Sequence, residues 1–345
     1  MFDLEEGKMK FKFDYCQIVS VSVFVAGAGL YAGYPAMAAE GGWQPQSSVE
    51  IVVPTGAGGE NDRVARSIQR ILEQKKLVAT PVVVVNKAGG NQVLATAYVA
   101  KKTADPHALL YATGTIQSNE IAGVSDLSYR DLTPIAKLRC DNTAVTVAFD
   151  SPIKDMPDLI RRLKADVKSV SFATASRGGA NNLVLAKALR SGGIDPNALK
   201  LIVFKTNAQS MTAVMGKHVD SVGSSVSAAY KNVEAGTLRI LAVSAPKRLG
   251  GALANVPTMA EAGLNVSGVS NCRYVYAPKG ISAAQRAFWE KAMSAVNDDK
   301  EWKADISRRN QTQDFLTGKD LEASLAETYD ATKAAMMDIG LAKSK

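Results

Sequence analysis

Short β-rich runs that end in glycine turns and open directly into amphipathic helices constrain this 345-residue chain more than anything else in it. Val49 to Val53 (VEIVV) leads into Pro54-Thr55-Gly56-Ala57-Gly58-Gly59. Beyond that turn, Val64, Ala65, Ile68, Ile71 and Leu72 recur at helical spacing, with Arg63, Arg66, Gln69 and Arg70 on the opposite face. A second strand, Pro81 to Val85, ends in Asn86-Lys87-Ala88-Gly89-Gly90 and predicts a helix from Gln92 to Lys102. A third, Leu109 to Ala112, ends in Thr113-Gly114-Thr115. Strands alternating with helices in this way predict parallel βαβ units.

The arrangement recurs further on. Ser169 to Ala173 reads as a strand, 174–181 (TASRGGAN) as its loop, and Asn182 to Leu189 as an apolar-faced helix. Leu201 to Phe204, Val219-Asp220 and Ile240 to Ser244 add strands, and Met211 to Met215 begins a further helix. Two successive α/β units follow, not one long sheet. The C-terminal helices, Ala283 to Asp298 and about Lys319 to Met337, lack a sheet of their own, so they are expected to pack back on the first unit. Residues 140–150 and 270–277 are then the strands crossing between lobes.

A loop that leaves a parallel strand and opens a helix presents unpaired backbone N–H groups at the positive end of the helix dipole. Glycine lets a ligand approach that backbone closely, and the result is an anion site. Open α/β sheets also place ligands beyond the carboxyl ends of their strands. Two such loops, one per unit, would face each other across a cleft.

Enzyme readings lack their motifs. Asn61 stands where GxGxxG requires its third glycine, no GxxxxGK[ST] occurs, and neither Ser224 nor Ser225 lies in GxSxG. His107 and His218 have no metal-ligand spacing, and His218 reads as a solvated turn residue. No catalytic residue, metal site or cofactor is assigned. Asp62 has two compatible readings, a ligand contact and a carboxylate satisfying helix N-terminal donors.

Hydrophobic residues at 46% and charged residues at 21% describe a soluble globular chain, and aromatics at 6% leave its cores to Val, Ile, Leu and Ala. The first forty residues differ. Lys10 and Lys12 precede the uncharged stretch Ile18 to Leu30, and Ala36-Met37-Ala38 follows as a small-x-small site. These are the parts of a secretory signal peptide spanning 1–38, with an uncleaved membrane anchor as the alternative. Cys16 precedes the apolar stretch, so a lipid-anchored N-terminus is not indicated. Without 1–38 the chain carries 38 basic and 29 acidic residues, a net charge of +9 that can steer anions. The basic residues are scattered and lack an aromatic platform, which argues against nucleic acid. Cys140 and Cys272 remain, either as two buried thiols or as one disulfide.

Residues 53–66 (VPTGAGGENDRVAR) resemble the VPxxxGGxxDxxAR opening of the Bug/TctC solute-binding proteins of tripartite tricarboxylate transporters. The resemblance continues through PVVVVNKAGGNQ, the turn at 113–115, DLTPIAKL at 131–138, AGTLRILAVSAPKR, NVPTMAEAG and YAPKGIS, over about 300 residues. It implies a two-lobed clamshell of the type II periplasmic-binding-protein kind, each lobe a mostly parallel sheet flanked by helices, joined by two crossing strands. Lobe 1 would comprise 46–143 plus 274–345, and lobe 2 144–273. The implied protein is a monomeric, non-catalytic periplasmic receptor, with an enzyme acting on a carboxylated molecule in the same cleft, or a ligand-free interaction module, as alternatives. Its ligand would be a small organic acid, mono- or dicarboxylate, aliphatic or aromatic, presented to a two-component membrane permease or used for sensing.

The loops that hold the carboxylate in that family map onto Thr55, Gly56, Ala57, Gly58, Gly59 and Asp62, and onto Ser176, Arg177, Gly178, Gly179, Asn181 and Asn182. Thr113 and Thr115 join them as expected ligand contacts. The second loop departs from the family's G-x-G-S-x-x-H-L, with Gly179 in place of the serine and Asn182 in place of the histidine; Arg177 or Asn181 could supply the lost donor. The family's K-G-G turn is Lys205-Thr206-Asn207 here, and its aromatic on the returning strand is Cys272-Arg273. Neighbouring strand residues point to opposite faces. Arg139-Cys140 and Cys272-Arg273 on the crossing strands therefore allow a Cys140–Cys272 disulfide on one face and an arginine on the other. That arginine, Arg273, would grip a second carboxylate in the cleft. The alternative leaves both arginines solvated at the hinge.

Overall fold

In the computed structural model, residues 42–343 other than 176, 205, 267, 268 and 270 are described. The expected signal segment, 1–38, and Ser176 lie outside the described residues. The chain begins with β1 (Val49–Val53), α1 (Glu60–Gln74), β2 (Val82–Asn86), α2 (Val93–Ala100), β3 (Ala108–Thr113), α3 (Thr115–Ile121) and β4 (Leu132–Asp141). It continues through β5 (Thr143–Ala148), α4 (Met156–Ala165), β6 (Ser171–Thr174), α5 (Ala180–Ser191), β7 (Lys200–Val203), α6 (Asn207–Met215), β8 (Ser221–Ser225), α7 (Val226–Glu234) and β9 (Leu238–Val243). It closes with β10 (Asn271–Pro278), α8 (Ala283–Asn297), α9 (Lys300–Arg308), β11 (Thr312–Leu316) and α10 (Gly318–Asp338).

Two sheets result, a six-stranded one in the order β11-β4-β10-β3-β1-β2 and a five-stranded one in the order β7-β6-β8-β5-β9. Each has helices on both faces, giving the two-lobed clamshell architecture. Both sheets are mixed, which corrects the expectation of mostly parallel sheets. Among the strands of the described residues, β1 pairs in parallel with β2 and β3, and β6 with β7 and β8, and the other strand pairs are antiparallel. The strands that carry the chain between lobes must come back against this direction. β10 therefore runs antiparallel to β3 and β4, and β5 antiparallel to β8 and β9. The passage from one sheet to the other is abrupt: Asn142 alone separates β4 from β5.

In the first sheet, Ile51, Leu109 and Leu138 face a core closed by Ile68 and Leu72 of α1, Trp289 of α8 and Trp302 of α9. The opposite face packs Val52, Leu110 and Tyr274 against Ala95 and Val99 of α2 and Leu321 and Leu325 of α10. In the second sheet, one face packs on α4 and α5 and the other on α6 and α7.

Three outcomes were not visible in the pattern. The helix expected to begin at Met211 starts at Asn207, because Thr206 caps it through its hydroxyl, which accepts from the Gln209 amide at 3.1 Å. α3, α4, α7, α9 and β11 have no counterpart in the sequence reading. Finally, α10 does not stay on the first unit. At 21 residues it is about 30 Å long, so its first half packs on the first sheet while Ala335 and Met336 enter the core of the second.

Candidate ligand-binding site

The two glycine loops have the same local construction. Gly58 has φ +78° and Gly178 φ +76°, a left-handed backbone that favours glycine at these two positions. Gly59 and Gly179 then serve as the extended N-cap residues of α1 and α5, and neither helix has a side-chain cap. The third residue of each helix reaches back instead: Asp62 Oδ2 accepts from the Gly58 amide, and Asn182 Oδ1 from the Gly178 amide, both at 2.9 Å. The turn is thereby fixed by the helix's own third residue, and the first-turn N–H groups have no side-chain cap, which leaves them available to an anion.

The loops differ in charge. Asp62 is buried and pairs with Arg66 Nε at 3.0 Å. The Arg66 hydrogen bond, opposed by burial and helped by the Gly58 amide, holds its carboxyl down at about 2. Asn182 gives the second loop the same geometry without a charge.

A cavity of about 180 Å³ lies between the lobes. Thr113, Gly114, Thr115 and Asn91 line it from the first lobe, 174–175, 179–182 and Asn207 from the second, and Asn271 from β10. Of the expected site residues it unites Thr113, Thr115, Gly179, Asn181 and Asn182. Thr55, Gly56, Ala57, Gly58, Gly59 and Asp62 are not among its lining, and the first loop's glycines are exposed. Asn181 is already engaged, accepting from Thr143 Oγ1 at 2.9 Å and donating to Ser225 Oγ at 3.3 Å. Arg177 is exposed and lines a separate cavity of about 160 Å³ behind α5. Of the two, Asn181 lines the cavity and keeps a second Nδ2 hydrogen, whereas Arg177 is not among its lining.

Arg273 requires a correction. Alternation does place Cys140 opposite Cys272 and Arg139 opposite Arg273 in the β4–β10 ladder, and the two cysteines are joined as a disulfide. Asp314 lies 3.3 Å from the Cys140 sulfur, but the bonded sulfurs offer it no thiolate to share a metal. The arginine face is roofed by α1 and α9, so the arginines are neither in the cleft nor solvated. Arg139 is fully buried, pairing with Asp305 at 2.9 Å and stacking 4.9 Å from the Trp302 ring. Arg273 is 5% exposed and donates to the Asn271 carbonyl at 3.0 Å and to Asn271 Oδ1 at 2.6 Å. Its other nitrogen sits 3.7 Å from Glu60, the first residue of α1. Burial works against the Arg273 charge, but Tyr111, Glu60 and Asp141 outweigh it and raise its pKa further.

Asn91, Asn207 and Asn271 were missed by sequence reasoning. Asn91 had a signal available, since it follows a glycine pair at the end of a parallel strand. Gly89, Gly90, Asn91 and Gln92 all have positive φ, and such a concentration of unusual backbone belongs to functional sites more often than to plain turns.

Residues 64–333 match the family described as tripartite tricarboxylate transporter family receptor, TctC. The chain belongs to that family. A curated relative, the UPF0065 protein in the gbd 5′ region of Cupriavidus necator, is 26% identical over 333 residues, 93% of this chain and 98% of its own. Among solved structures, the periplasmic binding protein BugD aligns with a TM-score of 0.70 and 24% identity, covering 87% of this chain and 100% of its own. MatC from Rhodopseudomonas palustris with bound malate aligns with a TM-score of 0.65 and 22% identity over 87% and 100%. The chain is a solute-binding receptor of the TctC family, not an enzyme. No helix among the described residues is long and apolar enough to cross a membrane.

Proposed function

We propose that this TctC-family receptor is exported by residues 1–38 and acts in the periplasm, capturing a small organic carboxylate between its lobes. It then presents the ligand to a two-component membrane permease of the tripartite tricarboxylate type, or reports its presence. The observation that carries this reading is the matched pair of loops, Gly58-Gly59 braced by Asp62 and Gly178-Gly179 braced by Asn182. Each presents a helix N-terminus without a side-chain cap on its own lobe. The bound malate of MatC supports a carboxylate as the ligand. In this reading lobe 1 is 46–143 plus 274–345, with the last turns of α10 packed onto lobe 2, and lobe 2 is 144–273. The second loop and the 113–115 turn receive the ligand in the open state. Lobe closure then brings Thr55 to Gly59 onto the same carboxylate.

Ligand that binds only the folded protein stabilises it by about 2.7 kcal/mol at a hundredfold excess over Kd. Thermal melting of the chain without 1–38, against a panel of mono-, di- and tricarboxylates, tests the reading. A concentration-dependent rise with at least one acid is expected. A flat profile over the panel, with no acid retained in native mass spectrometry, overturns it.

A further inference from the structure

Hydrogen bonds around the cavity fix which way several of its polar groups face. Asn119 Nδ2 donates to the Asn91 carbonyl at 2.7 Å, so Asn119 must turn its Oδ1 to Asn91 Nδ2, 3.0 Å away. Asn91 is then left with its own Oδ1, an acceptor, and one Nδ2 hydrogen. Asn271 gives its Oδ1 to Arg273, which only donates, so its NH₂ is what remains. Asn182 likewise gives Oδ1 to the Gly178 amide and keeps its NH₂. Gln92 Nε2 donates to Thr113 Oγ1 at 2.6 Å, the Thr113 hydroxyl donates to Thr115 Oγ1 at 2.9 Å, and the Thr115 hydroxyl hydrogen is left to donate.

The cavity thus offers directed donors at Asn182, Asn271 and Thr115, and at Asn91 an acceptor beside one remaining amide hydrogen. Its described lining residues carry no charged and no aromatic side chain. A carboxylate can use the donors but has nothing to give Asn91 Oδ1, whereas a hydroxyl can serve an acceptor and a donor together. Asn182 is buried, Thr115 and Asn271 are part-buried and Asn91 is exposed, so a ligand over which the lobes close has to supply partners as water leaves. An apolar or aromatic body supplies none, and sites built to hydrogen-bond a hydroxyl reject analogues lacking it.

We propose that the ligand is a hydroxylated monocarboxylate, with one carboxylate for the glycine loops and at least one hydroxyl group held by Asn91. This rests on the carboxylate-receptor reading and narrows it.

Isothermal titration of the chain without 1–38 tests the proposal with matched pairs: glycerate against propionate, and gluconate against hexanoate. Succinate, adipate and benzoate complete the set. The expected result is that a hydroxy acid binds at least about tenfold tighter than its deoxy partner and tighter than the dicarboxylates and benzoate. Asn91→Gly keeps the left-handed backbone without strain and removes the acceptor. It should bring that ratio to about 1 by weakening the hydroxy acid, and melting of the apo variant reports separately the loss of the Asn91 Nδ2–Asn119 Oδ1 bond that goes with the side chain. Tightest binding of succinate, adipate or benzoate, or a hydroxy preference that survives Asn91→Gly, overturns the proposal and leaves the carboxylate reading standing. Binding of none of these acids, with glycerol or another neutral polyol bound instead, overturns both.

Discussion

Asp62 and Asn182 hold equivalent posts in the two lobes: each is the third residue of its helix and accepts, at 2.9 Å, from the amide of a glycine four residues back. The segments GGEND at 58–62 and GGANN at 178–182 are thus two versions of one device. One version carries a charge countered by Arg66, and the other is neutral.

Asp62→Asn keeps an oxygen for Gly58 and removes the ion pair with Arg66. Because the folded carboxyl sits at about 2 against an ordinary 3.8, folding favours its ionised form. The stabilisation is complete above about pH 4 and is lost as pH falls through 2. Urea unfolding at pH 7 should show the variant less stable by about 1 kcal/mol, the pair being half open to solvent at Arg66. The difference from wild type should shrink between pH 4 and pH 2. A constant difference across that range would show that the carboxylate is not held in this way. Asp158, also held at about 2, is common to both proteins and cancels.

Asn182→Asp makes the reverse exchange, and no arginine follows at the position corresponding to Arg66, where the second helix has Ala186. An uncompensated negative charge about 6 Å from a bound carboxylate costs roughly 2 to 3 kcal/mol at an effective dielectric near 20. Titration calorimetry should therefore show Kd for the best carboxylate raised by one to two orders of magnitude. The oxygen for Gly178 is retained, so the apo Tm should move by only a few degrees. Unchanged affinity would place the carboxylate away from the second loop.

For the chain without 1–38, and so without Cys16, the disulfide predicts a mass about 2 Da below that of the reduced form and no reactive thiols in denaturant without reductant. Closing a span of 132 residues removes unfolded-state entropy worth up to about 5 kcal/mol in the loop-closure account. Cys140→Ala/Cys272→Ala should lower Tm by several degrees and leave carboxylate affinity nearly intact, since both sulfurs lie in the apolar layer under α10. Two thiols titrating in unreduced, unfolded protein would refute the bond.

The sequence made the strand–glycine–helix units legible because they are local. Val49–Val53 stands as read, and Gly58 and Gly178 lie where the turns demanded them. What covers a face is decided by distant segments, and there the reading failed. Alternation on the crossing strands correctly separated cysteines from arginines, yet nothing local says that α9 brings Asp305 and Trp302 over Arg139. For the same reason alternation alone points Arg273 at the cleft. It acts one step back, holding Asn271, a residue whose place in the cavity has no sequence signature of its own.

Asp141, at the end of β4, joins the lobes through polar contacts. It accepts from the backbone amide and hydroxyl of Ser227 on α7 and from Gln311, which also donates to Glu60 at 2.9 Å. Burial, with the Glu60 charge beside it, pushes its carboxyl above the usual range despite Arg273. A raised folded pKa means that folding favours the protonated acid. The penalty for keeping it ionised is fully present above the folded pKa and vanishes below the unfolded value of 3.8. Asp141→Asn removes that penalty and keeps an acceptor for Ser227. The variant should melt higher than wild type at pH 7, by on the order of 2–4 °C, with the gap closing as pH falls towards 4. Circular-dichroism melts across that range decide it. A variant less stable than wild type at pH 7 would mean that Asp141 is needed as a charge, held by Arg273 against its burial.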